Sequence, residues 1–229
     1  RTSLMPGQLK IISYNQSHRI KKLKFFEIGH VYLPSEDNQL LPDEREYLSI
    51  SIAGGDATEI VAILDMISLT MAFPNMQLKQ QEIEGLHPGR SAQVFVAGQE
   101  RGAVGEVDPR VLRNYGIDDS VAWLELDLGS ILAGPFGKKK YTSVSKYPSS
   151  DIDLAFEVPD DTSSASVAGC LRKAGGTYLK EVQLFDSYKA DTANERVRSL
   201  AYSLRFQSDE GTLTDAEVSE LRAACISEV

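Results

Sequence analysis

An aromatic ring, a carboxylate and a hydroxyl occur in two neighbouring stretches near the end of the chain. If the strands that contain them pair, Asp186, Tyr188 and Ser199 lie near one edge of one sheet. Residues 189–205 carry four basic and two acidic residues, within a segment, 141–229, that has nine basic and fifteen acidic ones. Single-stranded nucleic acid is bound by rings that stack, by polar groups and by cations that meet phosphate. Taken alone, the pattern is a weak signal for such a surface, because aromatic residues at strand ends are common in sheets of this kind.

A second candidate is the stretch His87-Pro88-Gly89-Arg90-Ser91-Ala92, which places a guanidinium after a rigid turn. An arginine held in this way could grip a carboxylate or a phosphate with two hydrogen bonds. The alternative is a turn in which Arg90 and His87 tie loops together. Composition favours the turn.

The remaining motifs do not form a catalytic or metal centre. Gly54-Gly55 and Gly175-Gly176 lack the third glycine of a nucleotide-binding loop, and no serine lies in a nucleophile elbow. The paired acids Asp160-Asp161 are explained by capping of a helix. The three histidines, His18, His30 and His87, do not have the spacing of zinc ligands. We expect the two cysteines, Cys170 and Cys225, to be reduced thiols.

Composition limits the class of protein. The chain has 229 residues, of which 42% are hydrophobic and 25% are charged, as in ordinary globular proteins. Its net charge of −9 gives no general attraction to polyphosphate, so any contact with nucleic acid must come from a local patch. The chain has no run of about 18 apolar residues, so the sequence predicts no membrane-spanning segment. The first residues lack an apolar leader, and we expect them to come from inside a longer polypeptide.

The first part of the chain predicts a mostly antiparallel sheet with helices on one face. The aromatic and β-branched stretch Leu23–Leu33 predicts a strand, and the polar stretch 35–45 an exposed connection. Leu48, Ile50 and Ile52 alternate with serines, which predicts a second strand with one wet face. We expect helices near the start of the chain, after Asp56 and after Asp108. Further strands are expected over 77–84, 91–97, 102–107 and 121–128.

A stretch rich in glycine and lysine, Gly134–Lys140, predicts a linker to a second domain. Beyond it, the predicted order is strand, helix, strand, strand, helix, which is a ferredoxin-like split βαβ unit without its last strand. The strands are expected over Asp151–Val158, Tyr178–Tyr188 and Val197–Phe206, and Thr214 with Glu217 forms a capping box for the last helix. The fold class is therefore α+β.

Seven collinear stretches resemble the C-terminal part of the β subunit of bacterial phenylalanine–tRNA ligases. They are Arg1–Gly7, Phe26–Gly29, His87–Ala92, Ser145–Pro148, Leu184–Tyr188, Ser199–Tyr202 and Thr212–Asp215. The resemblance implies that residues 1–135 form a class II synthetase-like module that has lost its chemistry, so no catalytic residue is expected. In agreement, Phe25 and Phe26 precede Glu27, where a working site of this class has an arginine that holds ATP. Residues 143–229 would be a truncated ferredoxin-fold anticodon-binding domain.

The resemblance also implies a binding site for the anticodon of phenylalanine tRNA. Tyr188 would be the stacking ring, Asp186 would hydrogen-bond a base edge and Ser199 would support them. We add Arg196 and Arg198 to the predicted nucleic-acid-binding residues because of their charge alone. The family usually has an arginine where this chain has Ile152, so any contact from that side chain is lost or supplied elsewhere.

The implied partners are that tRNA and a catalytic α subunit in a cytoplasmic α2β2 assembly, with neither DNA nor a membrane. No cofactor is expected in this fragment, whereas ATP and magnesium are implied for the whole enzyme. We expect the fragment alone to be inactive. Two alternatives remain open: a regulatory module that binds a small metabolite, and a purely structural docking piece.

Overall fold

The structure, a computed structural model, describes residues 1–35, 41–134, 141, 144–189 and 197–229. The chain divides into two compact units, Arg1–Lys140 and Tyr141–Val229. Unit 1 contains the helices α1 (Met5–Ser17), α2 (Ala57–Met71), α3 (Pro109–Asn114) and α4 (Leu128–Ala133). Its strands are β1 (Leu23–Leu33), β2 (Asp43–Ala53), β3 (Gln77–Gln80), β4 (Leu86–Val96), β5 (Gln99–Val107) and β6 (Val121–Asp127).

The six strands form one antiparallel sheet in the order β1-β2-β6-β5-β4-β3. All seven residues of β6, at the centre of the sheet, are buried. One face packs against α2 through Ile60 and Leu64, and the other packs against α1 through Leu9 and Ile12. The prediction of helices on one face is therefore wrong, because the sheet is covered on both.

The prediction that one face of β2 is exposed to water is also wrong. Ser49 and Ser51 are fully buried under α1. The Ser49 hydroxyl donates to Oε1 of Gln8 at 3.0 Å and lies at the same distance from the Leu124 carbonyl, and the Ser51 hydroxyl also donates to Gln8. Helix α1 thus supplies a buried amide that satisfies both hydroxyls, since a buried polar group without a partner is costly.

Other differences concern the lengths of elements. Strand β2 begins inside the stretch predicted as a connection, and α4 begins at Leu128, where a strand was expected to continue. Strand β3 is shorter than predicted and β4 is longer. The predicted linker lies outside the described residues from position 135 onward.

Glu125 anchors the start of α1, which has no side-chain cap of its own. Its Oε2 accepts hydrogen bonds from the Leu4 amide at 3.1 Å and from the Ser3 hydroxyl at 2.9 Å. The carboxylate is buried in the sheet, and this desolvation raises the pKa of Glu125 above its ordinary value. The native state therefore holds a proton on Glu125 more tightly than the unfolded chain does.

We predict that Glu125→Gln gains stability relative to the wild type as pH rises. A carboxyl group whose pKa is raised by folding stabilises the native state at low pH, and that contribution is lost as pH rises through the native pKa. Glutamine keeps an oxygen that accepts from Leu4 but does not ionise. Urea unfolding of both proteins between pH 4 and pH 8 measures the difference in free energy of unfolding. A difference that is constant with pH would contradict the assignment.

The described residues of unit 2 form three antiparallel strands, of which the last along the chain lies in the middle of the sheet, and two helices. Leu171, Leu200, Leu204 and Phe206 are fully buried in its core, which lies between the sheet and the helices. The Thr214–Glu217 capping box is present as predicted. The elements are β7 (Ser150–Pro159), α5 (Ser164–Gly175), a 3₁₀ turn (Gly176–Tyr178), β8 (Leu179–Lys189), β9 (Val197–Phe206) and α6 (Asp215–Glu228). The predicted α+β class and the ferredoxin-like element order are confirmed.

None of the helices in the described part of the chain is long and apolar enough to cross a membrane.

Candidate nucleic-acid interface

The sheet of unit 2 has two chemically different faces. Along β9, Leu200, Tyr202, Leu204 and Phe206 point to the core beneath the helices, and the residues between them point the other way. We call this second side the open face. It contains four cross-strand rows, each with one residue from β7, β9 and β8. In order along the sheet, the rows are Glu157–Ser199–Tyr188, Ala155–Ala201–Asp186, Asp153–Ser203–Gln183 and Asp151–Arg205–Glu181.

A β-bulge in β8 brings Asp186 and Tyr188 to the open face. Leu184 pairs with Tyr202, but Asp186 pairs with Ala201, so Phe185 is an extra residue in the strand. In a regular strand, Asp186 and Tyr188 would share the side of Leu184 and face the core. The extra residue reverses this alternation.

The three residues predicted to bind a base therefore lie together. Tyr188 and Ser199 occupy the same row, and Asp186 lies in the next one. The Tyr188 side chain is 62% exposed, Asp186 is exposed and Ser199 is half-buried. An exposed ring beside a carboxylate and a hydroxyl offers a stacking surface and hydrogen-bond acceptors for an unpaired base.

Arg198 does not belong to this group. It lies between Ser199 and Val197 on β9, and its guanidinium donates to the carbonyl oxygen of Thr162, just before α5. Its Nε is buried and has no hydrogen-bond partner in the described part of the chain. The assignment of Arg198 to the binding surface is thus not supported, because alternation along the strand turns it away from Ser199. Arg196 lies outside the described residues.

Arg205 is on the open face but is already paired on both sides. Its Nε is 2.9 Å from Oδ1 of Asp151 on β7, and its Nη1 is 3.2 Å from Oε2 of Glu181 on β8. The hydrogen bond from the Arg205 guanidinium to Asp151 lowers the pKa of the Asp151 carboxyl group. Five carboxylates and one guanidinium occupy the four rows, so this face is acidic rather than positively charged.

Ile152 lies on the core side of the unit 2 sheet. Ile152 pairs with Leu204 and packs against the core from β7. The departure from the expected arginine, predicted from the resemblance, therefore lies on the core side of the sheet.

The stretch His87–Ala92 is part of strand β4 and not the turn that composition favoured, and Arg90 grips a carboxylate of the chain itself. Nη1 of Arg90 donates to Oε2 of Glu106 at 2.7 Å, and Oε1 of Glu106 also accepts from the Ala57 amide at the start of α2. Nδ1 of His87 accepts from the Gly89 amide at 3.1 Å. Arg90 thus ties β4 to β5.

Both cysteines of the chain are free thiols. Cys225 is buried, and burial raises the pKa of its thiol. In the described ranges, no group of three or more His, Cys, Asp or Glu side chains is arranged to hold a metal ion.

Comparison with known proteins gives two family matches. Residues 1–128 match the phenylalanyl tRNA synthetase beta chain CLM domain, and residues 145–229 match the ferredoxin-fold anticodon binding domain. Among solved structures, pyrrolysyl-tRNA synthetase from Desulfitobacterium hafniense aligns with 58% of this chain and 48% of its own, at 19% identity and a TM-score of 0.46.

Curated relatives match nearly the whole chain. It is 34% identical over 223 residues to the phenylalanine–tRNA ligase beta subunit of Clostridium tetani, with 96% of this chain and 28% of that protein covered. It is 31% identical to the same subunit of Lactiplantibacillus plantarum, with 96% and 29% covered. The chain thus spans under a third of the length of these relatives. With both domain models matched in order, the chain belongs to the phenylalanyl-tRNA synthetase beta chain family.

Proposed function

We propose that this chain is the part of a phenylalanine–tRNA ligase β subunit that binds the anticodon region of phenylalanine tRNA through the open face of unit 2. The observation that supports it most directly is the exposed Tyr188 ring beside Asp186 and Ser199. Stacking on an aromatic ring contributes about 1–3 kcal/mol per base. A role in aminoacylation of tRNA implies a cytoplasmic protein.

Unit 1 is proposed to dock a catalytic α subunit. Large apolar side chains are exposed on β1, where Phe26 is 69% and Ile28 is 51% exposed, and on α2, where Leu69 is 77% exposed. Apolar surface of this kind is typical of protein interfaces.

The residues of unit 1 do not fit the ATP site of a class II synthetase. Glu27 follows two phenylalanines, and its described cationic partner is Arg1, with Nη1 of Arg1 at 2.8 Å from Oε1 of Glu27. Lys24 is paired with Glu59 of α2. We therefore propose that ATP and magnesium act elsewhere in the whole enzyme and that this chain alone forms no aminoacyl-adenylate.

Replacing Tyr188 by alanine tests the proposed RNA contact. We expect the affinity for labelled phenylalanine tRNA to fall by roughly 5- to 150-fold, because the stacking surface is lost. Tyr188→Phe keeps the ring and should retain most of the affinity. Fluorescence anisotropy with the 229-residue chain at two salt concentrations measures both.

Tyr178→Ala is the matched control, since Tyr178 is 44% exposed but lies in the 3₁₀ turn, outside the four rows. It should bind as the wild type does. Equal affinity of wild type and Tyr188→Ala would refute the anticodon contact. Thermal stabilisation by free amino acids instead of tRNA would favour the metabolite-binding alternative.

A further inference from the structure

Building on the proposed function, we infer that Glu157 is a base-reading residue of the open face, which accepts hydrogen bonds from the edge of the base that stacks on Tyr188. Both residues pair with Ser199, Glu157 from β7 and Tyr188 from β8, so the three form one row across the sheet. Glu157 is exposed.

The spacing of the strands suits a base that lies across this row. Neighbouring strands are about 4.8 Å apart, so the backbones of Tyr188 and Glu157 are separated by about 10 Å. Ser199, between them, has a small side chain. A base stacked on the ring of Tyr188 and directed over Ser199 would present its edge to the Glu157 carboxylate.

The chemistry of the row selects the kind of base. The carboxylates of Glu157 and Asp186 only accept hydrogen bonds, and the Ser199 hydroxyl can also accept. These groups match a base edge that carries adjacent N–H donors, as guanine does with its ring N–H and its amino group. Adenine presents one amino donor beside an acceptor nitrogen. A carboxylate, which only accepts hydrogen bonds, is repelled by that nitrogen.

The charge of the open face supports reading of bases rather than of phosphates. Arg205 is the one cation among the twelve residues of the four rows, it is held between Asp151 and Glu181, and it lies three rows from Tyr188. Phosphates would meet carboxylates on this face, which is unfavourable. An RNA strand should therefore approach with its bases toward the sheet and its phosphates away from it.

The Glu157→Gln variant separates base reading from simple repulsion because the two roles predict opposite signs. Removing a negative charge alone would tighten binding of every RNA. Removing one of two carboxylate acceptors should instead weaken binding of a base with two adjacent donors. We expect the preference of the 229-residue chain for a uridine hexanucleotide with one central guanine, over the same oligomer with adenine, to fall by at least about fivefold.

Asp153→Asn is the matched control, since Asp153 lies on the same strand and face but two rows away from Tyr188. It removes the same charge, and it should tighten binding of both oligomers equally or leave both unchanged. Glu157 and Asp153 are both exposed, so both variants should melt at the wild-type temperature. Fluorescence anisotropy gives the affinities.

Any of the following results would overturn the inference. If Glu157→Gln tightens both oligomers as Asp153→Asn does, the carboxylate only repels RNA. If it weakens both equally or leaves both unchanged, Glu157 does not distinguish bases. If Tyr188→Ala binds both oligomers as well as the wild type, the proposed function fails together with the inference. A loss in Tyr188→Ala with an unchanged preference in Glu157→Gln would refute the role of Glu157 alone.

Discussion

Tyr202→Ala is expected to lower the free energy of unfolding of unit 2 by about 3–5 kcal/mol, as is typical when a large buried aromatic side chain is truncated. Tyr202 is 1% exposed and lies on the core side of β9, directly beneath the open face. Its ring centroid is 6.4 Å from that of Phe156, and its hydroxyl donates to the Ser164 carbonyl at 2.8 Å. A domain of this size has a total stability of about 4–13 kcal/mol, so the loss is a large part of it.

Tyr202→Phe is the control that keeps the ring. It removes one hydrogen bond and should cost about 1 kcal/mol. Urea unfolding followed by circular dichroism measures both variants. A loss below about 2 kcal/mol in Tyr202→Ala would mean that the core beneath the binding surface rearranges to fill the cavity. The comparison with Tyr188→Ala is informative, because that variant should lose RNA binding at wild-type stability.

Strands with a clear pattern of apolar residues and a helix with a clear capping residue were predictable from the sequence. Strands β1 and β9 have the predicted bounds, since β1 is an aromatic and β-branched run that ends before Pro34 and β9 alternates large apolar with small or polar residues. Helix α2 starts after Asp56, which accepts from the Glu59 amide as expected of a capping residue. These features are local, so they can be read from a few consecutive residues.

Burial of the β2 serines was not predictable, because it depends on a distant partner. A strand that alternates serine with leucine or isoleucine has the same pattern whether water or a helix covers the serines. The deciding residue is Gln8, 41 positions before Ser49. A glutamine in an otherwise apolar helix surface is the one signal that pointed to a buried polar network.

The candidate site was predictable in part. Asp186, Tyr188 and Ser199 lie together as expected, but the bulge at Phe185 that makes this possible has no clear signal in the sequence. The placement of Arg198 away from Ser199 was predictable, because neighbouring residues of a strand point to opposite faces. A count of charged residues along the chain does not take into account the face to which each side chain points. It also does not take into account that the charge of Arg205 is neutralised by its neighbours.

Gly102→Ala is expected to destabilise unit 1 by about 3 kcal/mol, at the upper end of overpacking penalties. A Cβ atom at this position of β5 would overlap the carbonyl oxygen of Glu125 and lie 2.9 Å from the Cα of Leu126. Both belong to the backbone of β6, which is buried along its whole length and held by strands on both sides. A backbone in this position cannot move aside as a flexible side chain can.

Gly98→Ala separates this close approach from the general cost of replacing glycine. Gly98 lies in the turn between β4 and β5 with a φ of +76°, and a Cβ there meets no atom within 4 Å. Only the backbone penalty of about 1–2 kcal/mol applies. Urea unfolding of both variants gives the two free energies. If Gly102→Ala costs no more than Gly98→Ala, the centre of the sheet adjusts to the added atom, and unit 1 is not the rigid support that the proposed docking of a catalytic subunit requires.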